Sequence, residues 1–210
     1  SAAGLGDLGK PIGFLSRQVK RWGQQWELSQ TRELHDIDRL RNWLASRVDD
    51  IVDQTNGCVI HGDFRIDNVI VDSQSTQIRA VVDWEMATLG DPLTDLAILL
   101  VYWTSSTDTL RATVPVAQHI TDGPGFWTRE DIVEHYARTS GLDVDQLDVY
   151  VALACLKLAA IMESIHKRNL AGLQLGTAGG HDYSMGKAAE ALARLGVGTM
   201  EHGALAALNS

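Results

Sequence analysis

The sequence predicts an α+β fold that is mainly helical, with a small β-hairpin. Three short segments rich in β-branched residues lie close together at 58–61, 68–72 and 77–84, and long stretches elsewhere carry helical periodicity. The chain has 210 residues and is 45% hydrophobic, so it can bury a core of its own. We therefore expect one domain over residues 1–210.

The first half of the chain predicts one helix before the strands. Residues 1–13 contain four glycines and no apolar period, which is typical of a loop. Apolar residues between positions 31 and 49 recur at helical spacing, so one face of this helix should be buried. The three strand candidates follow, and the polar segment 73–76 offers a turn between the last two.

The second half predicts helices with recognisable ends. Asp91 followed by Pro92 is a helix-start signal. Thr128 and Asp131 match a capping box, and Gly141 suits the position just after a helix end. The expected helices cover 93–103, 128–138, 146–169 and 185–195.

Composition excludes several classes of partner. A formal net charge of -9, a pI near 5.1 and the lack of any Lys/Arg run give no basis for binding nucleic acid. Cys58 and Cys155 stand in apolar surroundings far apart, which predicts free buried thiols and a cytoplasmic location. The apolar runs 96–103 and 151–162 are shorter than the roughly 20 residues that span a bilayer, so we expect no membrane partner.

The stretch HGDFRIDN, from His61 to Asn68, contains the candidate catalytic residues. Asp83 follows Asn68 by 15 positions and completes the set. Phosphoryl transfer proceeds through a loose transition state whose negative charge metal ions neutralise. The Asp83 carboxylate and the Asn68 amide oxygen are hard ligands of the kind that Mg²⁺ prefers. Asp63, on the loop between two strands, would face an acceptor hydroxyl and accept its proton. These residues predict Mg²⁺-dependent phosphoryl transfer.

HGDFRIDN and the later DWE resemble the catalytic loop and metal aspartate of the aminoglycoside phosphotransferase and choline kinase branch of the protein-kinase-like superfamily. A narrower likeness, over 17–26, 61–68 and 81–97, is to the phosphotransferase domain associated with acyl-CoA dehydrogenases. The resemblance implies the C-terminal lobe of a protein-kinase-like fold, in which the small β-hairpin carries the catalytic loop. It also implies ATP as the co-substrate.

The resemblance gives each site residue a role. In the catalytic group, Asp63 is the base, His61 braces the loop and Arg65 stabilises charge on the transferred phosphate. In the cofactor-binding group, Asn68 and Asp83 hold Mg²⁺ and Ile70 lies under the adenine. Asp95 is expected to accept hydrogen bonds from the backbone of the catalytic loop.

The position of the catalytic loop predicts an incomplete enzyme. The loop arrives at residue 61, which leaves no room for a β-rich lobe with a glycine-rich loop and a strand lysine. We therefore expect a C-terminal lobe whose N-terminal nucleotide lobe, its partner in cis, is absent. Alone, this lobe should bind nucleotide poorly, be inactive, and self-associate through the surface that the small lobe would cover.

The acceptor is expected to be a small-molecule hydroxyl. The likeness to dehydrogenase-associated domains implies a hydroxyacyl group, such as a hydroxyacyl-CoA, rather than an aminoglycoside. Two other functions stay open: a catalytically silent kinase-like scaffold that binds a partner or metabolite, and a metal-dependent phosphohydrolase.

Further polar and aromatic residues have more than one interpretation. Glu163 and His166 share the ExxH spacing of carboxylate metal sites, and with Asn169 they could line the acceptor pocket or form a solvated helix face. The aromatic residues that could wall the same pocket, or belong to the core, are Tyr102, Trp103, Phe126 and Trp127.

Overall fold

A computed structural model describes residues 4, 7–51, 55, 57–75, 77–108, 120–173 and 184–210. Within these ranges the chain forms seven α-helices and four short β-strands, which confirms a mainly helical protein with small sheets. The helices are α1 Phe14–Ser29, α2 His35–Arg47, α3 Leu93–Tyr102, α4 Arg129–Ser140, α5 Leu147–Leu170, α6 Ser184–His202 and α7 Ala204–Leu208. The strands are β1 Cys58–Ile60, β2 Val69–Val71, β3 Ile78–Val81 and β4 Thr88–Gly90.

Helix α5 forms the centre of the core. It packs against α1, α3 and α6, and nearly all of its residues from Leu147 to Ala160 are buried. The helix has 24 residues, and its bounds agree with the predicted 146–169 to within one residue. By length and composition it could cross a membrane, but 83% of its most apolar window is buried inside the protein. That burial is the pattern of a core helix.

Helix α1 was not predicted, although its sequence carries a helical signal. Val19, Trp22 and Trp26 are buried at spacings of three and four residues and form one apolar face. Helix α2 is shorter than the predicted 31–49, because it begins at His35 and gives way to a 3₁₀ turn at Val48–Asp50.

The four strands form two separate antiparallel pairs. β2 pairs with β3, with Val69 opposite Val81, so a hairpin is present where the sequence predicted one. β1 pairs with β4, which the sequence analysis missed. A Cβ atom at Gly90 in β4 would lie 2.8 Å from the Phe14 ring, so this strand needs glycine to pack against α1.

The helix ends agree with the capping signals. The Asp91 carboxylate accepts a 3.0 Å hydrogen bond from the Leu93 N–H, so α3 begins one residue after Pro92. Thr128 and Asp131 form a complete capping box at α4, and Gly141 ends that helix in the left-handed conformation. The start signal, which has Pro92 as the first residue of α3, is one residue too early, whereas the capping box and Gly141 are confirmed.

Candidate active site

The loop between β1 and β2 begins at His61, which is 2% exposed. Its Nε2 lies 2.8 Å from the Val82 carbonyl oxygen, and its ring centroid lies 4.7 Å from that of Trp84. Both partners flank Asp83 in the sequence. His61 therefore ties the start of the loop to the segment that carries Asp83.

Asp63 follows on the same loop, where its main chain is held on both sides. Its N–H donates to His61 Nδ1 at 3.3 Å, and its carbonyl oxygen accepts from Asn68 Nδ2 at 2.9 Å. The side chain is half-buried. Burial, and then the nearby Asp63 charge, raise the pKa of the Tyr102 phenol to about 12. The Asp63 carboxylate thus lies close enough to Tyr102, the last residue of α3, for its negative charge to disfavour ionisation of that phenol.

Asn68 connects Asp63 with the strand that leads to Asp83. The buried Asn68 side chain donates to the Asp63 carbonyl, and its own main-chain oxygen accepts from the Val82 N–H at 2.9 Å. Asp83 is the next residue along the chain. The structure therefore brings the three polar residues of the motif to one end of the β2–β3 hairpin.

Asp83 occupies an unusual backbone conformation. Its φ of 67° and ψ of 49° are left-handed, and among the described residues no other non-glycine residue has a positive φ. Asp tolerates this region better than most residues, but the conformation remains uncommon and concentrates at functional sites. Asp83 is exposed to solvent.

The donor set of this site fits Mg²⁺. Among the residues that the structure describes, no three His, Cys, Asp or Glu side chains form a metal-binding group. Mg²⁺ does not need such a group, because it takes one or two carboxylates and fills its shell with phosphate oxygens and water. With Asn68 Nδ2 turned to the Asp63 carbonyl, the amide oxygen is left as a ligand alongside the Asp83 carboxylate. Those two residues could hold the ion.

The side chain of Arg65, on the same loop, is held against the end of α3. Its guanidinium lies 3.1 Å from the Asp67 carboxylate and 4.9 Å above the Tyr102 ring. Its Nε is buried without an acceptor among the described residues. Its role at a transferred phosphate stays a prediction.

Ile70 lies on β2 opposite Ala80, with half of its surface exposed. Val71 and Ile78 on the same hairpin are also exposed. The hairpin therefore presents an apolar surface next to the site. Contact of Ile70 with an adenine stays a prediction.

Asp95, in the first turn of α3, binds the loop as the resemblance implied. Its two carboxylate oxygens accept hydrogen bonds from the main-chain N–H groups of His61, at 2.6 Å, and Gly62, at 2.8 Å. Burial raises the pKa of this carboxyl group, and the two hydrogen bonds act against that rise. The prediction for Asp95 is confirmed, and the loop is anchored to the core helix bundle.

Sequence reasoning missed Lys157, which contacts the same loop from α5. Its Nζ donates a hydrogen bond to the Gly62 carbonyl oxygen, and the side chain is only 6% exposed. The one available signal was a single charged residue inside the apolar run 151–162. Position in an apolar helix does not reveal which distant carbonyl a lysine will reach.

Glu163 has a structural position that neither earlier interpretation anticipated. It is completely buried and accepts hydrogen bonds from the Thr31 N–H at 2.9 Å and the Thr31 hydroxyl at 2.6 Å. It also forms a 2.9 Å ion pair with Arg32. Glu163 therefore clamps α5 to the connection between α1 and α2, and it is neither a solvated side chain nor a metal ligand.

A cleft of about 410 Å³ lies beside the end of α3. Trp103, Phe126 and Trp127 line it, and the Trp103 indole donates to the Trp127 carbonyl oxygen at 2.9 Å. Tyr102 instead packs under Arg65. Three of the four candidate aromatic residues thus border one cleft.

Comparison with known proteins identifies the family. Residues 1–131 match the model of the phosphotransferase enzyme family, APH. The chain is 31% identical over 172 residues to mouse acyl-CoA dehydrogenase family member 11, covering 80% of this chain and 21% of that protein. It is 33% identical over 177 residues to mouse acyl-CoA dehydrogenase family member 10, covering 81% of this chain and 16% of that protein. The chain therefore spans about a fifth of the length of these relatives.

A solved structure agrees with the sequence comparison. A crystal structure from Ralstonia eutropha JMP134, described as a candidate aminoglycoside phosphotransferase, superposes with a TM-score of 0.74 at 28% identity. The match covers 93% of this chain and 57% of that protein. The likeness inferred from HGDFRIDN and DWE is thus confirmed by an independent family match and by the fold. The chain belongs to the APH phosphotransferase enzyme family and has a kinase-like phosphotransferase fold.

Proposed function

We propose that this chain is the C-terminal, catalytic-loop lobe of an ATP- and Mg²⁺-dependent phosphotransferase that acts on a hydroxyl group of a small molecule. The observation that carries the proposal is the link through Asn68. Its side chain binds the Asp63 carbonyl and its main chain pairs with Val82, so the proposed base and the proposed metal ligand lie at one hairpin end.

The residues divide the work of the reaction. The acceptor oxygen forms a bond to the γ-phosphorus of ATP, the bond from that phosphorus to the β,γ-bridging oxygen breaks, and ADP leaves. Asp63 orients the acceptor hydroxyl and receives its proton. Asn68 and Asp83 hold Mg²⁺, which when bound neutralises charge on the phosphate oxygens. Arg65, on the same loop, supplies a further positive charge.

We propose a hydroxyacyl thioester, such as a hydroxyacyl-CoA, as the acceptor. The support is that relatives named acyl-CoA dehydrogenase family members 10 and 11 contain a segment similar to this chain. The cleft is bordered by the aromatic residues Trp103, Phe126 and Trp127 and otherwise mainly by polar side chains, which suits an acceptor that is apolar only in part. An aminoglycoside is the competing acceptor, because the solved neighbour is described in those terms.

The proposal includes a separate nucleotide-binding lobe in cis and a cytoplasmic location. Loss of a phosphate-covering loop and its lysine would remove much of the charge that stabilises the transition state. We therefore expect the chain by itself to bind Mg·ATP weakly and to turn over slowly or not at all.

The test is an ADP-release assay on the complete gene product, with hydroxyacyl-CoA thioesters in one panel and aminoglycosides in the other. Asp63→Asn and Asp83→Asn should each lower kcat by at least about a hundredfold. Asp38→Asn is the matched control, because this exposed aspartate lies on α2 away from the site. Acceptor-dependent ADP release that survives in both site variants would remove the assigned mechanism.

The same assay separates the alternatives. Release of inorganic phosphate without any acceptor would indicate a phosphohydrolase. Acceptor binding with no ADP release under any condition would indicate the silent scaffold. Mass spectrometry of the product should show one added phosphate on the acceptor hydroxyl.

A further inference from the structure

The most unusual charged residue outside the motif is Lys157. It lies on the core helix α5, is 6% exposed, and follows the fully buried Cys155 and Leu156. Lysine is rarely this buried unless it is paired. Among the described residues, no carboxylate forms an ion pair with it within 4.0 Å. Its partners are the Gly62 carbonyl oxygen and the Trp22 ring, whose centroid is 5.4 Å from Nζ.

Lys157 and Asp95 together bind the main chain of the loop at Gly62, one from each side. Asp95 accepts from the Gly62 N–H, and Lys157 donates to the Gly62 carbonyl oxygen, so both peptide units around Gly62 are fixed. Gly62 has a φ of 85°, and a Cβ atom there would lie 2.5 Å from the Met86 carbonyl oxygen. The loop thus has little freedom at this residue. The next residue is Asp63, whose direction depends on the second of these peptide units.

We propose that Lys157 is a positioning residue, whose charged ammonium group holds the Gly62–Asp63 peptide and thereby orients the Asp63 carboxylate. This inference rests on the proposed function, because it gives Asp63 its catalytic meaning. Lys157 itself does not touch the reacting atoms.

The electrostatic surroundings make this hold sensitive to pH. Burial lowers the pKa of Lys157 to about 8, while the charges of Asp63 and Asp95 act to raise it and Arg21 acts to lower it further. The charged groups that act on it are Asp63 on the loop, Asp95 on α3 and Arg21 on α1. A neutral amine still donates a hydrogen bond, but it no longer attracts the Asp63 carboxylate. The hold should weaken as pH rises through 8.

The direct test is NMR of the uniformly labelled chain, following the Gly62 carbonyl carbon and the Asp63 amide from pH 6 to pH 10. In the wild type the Gly62 carbonyl signal should titrate with a midpoint near pH 8. Lys157→Met should abolish this titration. Lys167→Met is the matched control, because Lys167 lies exposed on the same helix and also donates to a main-chain oxygen, that of Leu28 at 2.7 Å.

The wild-type titration is informative even if a variant fails to fold. A Gly62 carbonyl signal that does not move anywhere between pH 7 and pH 10 would overturn the proposal. An unchanged titration in Lys157→Met would overturn it equally, since another group would then be responsible.

Activity of the complete gene product provides the second readout. Lys157→Met should lower kcat by about tenfold to a hundredfold with little change in KM for ATP, because a misdirected base affects the chemical step. Lys157→Arg should recover part of kcat and move the alkaline limb of the pH profile upward, because the guanidinium stays charged. Full kcat in Lys157→Met would contradict the proposal. If no acceptor supports turnover but the NMR titration is present, the proposed function fails while the contact of Lys157 with the loop stands.

Discussion

Replacing Lys157 by methionine is expected to stabilise the chain at neutral pH, although the substitution removes a hydrogen bond. Burial lowers the pKa of Lys157 from 10.5 to about 8, so the folded state disfavours the charged form. At about 1.4 kcal/mol per pKa unit, the protonated side chain costs the folded state about 3 kcal/mol at pH 7. Methionine avoids that cost but leaves the buried Gly62 carbonyl oxygen without its charged donor, a loss of about 2 kcal/mol. The free energy of unfolding should therefore rise by about 1 kcal/mol.

The pH dependence has a definite sign. Between the folded pKa of about 8 and the unfolded pKa of 10.5, the unfolded chain binds more protons at Lys157 than the folded chain does. The neutral form of Lys157 is the one that the folded state favours. Its contribution to the free energy of unfolding is therefore fully present above the unfolded pKa of 10.5 and is lost as the pH falls through the folded pKa of about 8. From pH 7 to pH 9.5 the wild type should gain about 2 kcal/mol relative to Lys157→Met. Groups that titrate equally in both proteins cancel in this difference.

The assay is urea unfolding followed by far-UV circular dichroism at pH 7, 8 and 9.5. Lys167→Met again serves as the control, because it removes an exposed lysine from the same helix and should change the free energy of unfolding by under about 0.5 kcal/mol. A Lys157→Met variant that is less stable than the wild type by more than about 2 kcal/mol, with the same gap at every pH, would refute the reasoning. A variant that is more stable but less active would show that the buried charge is kept for function.

Three further predictions concern stability and association. Glu163→Ala should lower the free energy of unfolding by about 2–3 kcal/mol, because it removes a fully buried carboxylate that binds Thr31 and pairs with the partly exposed Arg32, whereas the exposed Glu134→Ala should cost under about 0.5 kcal/mol in the same urea assay. Gly62→Ala should be more destabilising than Gly172→Ala by calorimetry. Both glycines have a positive φ, but only at Gly62 would the new Cβ meet a carbonyl oxygen, at 2.5 Å. Sedimentation velocity should detect self-association of the wild-type chain, and Ile78→Thr should weaken it because this side chain is 64% exposed on the hairpin. A wild type that stays monomeric at high concentration would count against an apolar association surface.

The parts of the fold that the sequence predicted well depend on local contacts. The Thr128–Asp131 capping box and Gly141 delimit α4 through residues within a few positions of one another. The β2–β3 hairpin follows from two β-branched runs and a polar turn. Such features can be recognised without knowing the tertiary structure.

The elements that were missed depend on contacts between distant segments. β4 has three residues and one of them is Gly90, so it forms a strand only because β1 pairs with it and Phe14 packs over it. α1 is different, because Val19, Trp22 and Trp26 carry a helical period. The sequence therefore does encode α1 locally, whereas β4 depends on tertiary contacts.

The same distinction applies to the site. The spacing within HGDFRIDN and the position of DWE were enough to predict that the main chain at Asp63, Asn68 and Asp83 would come together near one hairpin end. That their side chains meet at one metal ion stays a prediction. Lys157 contacts Gly62 across 95 positions, and Glu163 contacts Thr31 across 132. No local pattern encodes contacts of that length, and both depend on how α5 packs in the core.

The central claim is that Asn68 and Asp83 form a metal site beside Asp63, and paramagnetic NMR with Mn²⁺ and ADP tests it most directly. Mn²⁺ broadens nearby signals even when only a small fraction of the chain is bound, so weak nucleotide binding is no obstacle. We expect the Asn68 side-chain amide and the Asp83 and Asp63 main-chain amides to broaden first, and Asp83→Ala to abolish the effect. Broadening centred elsewhere, or unchanged in Asp83→Ala, would contradict the account.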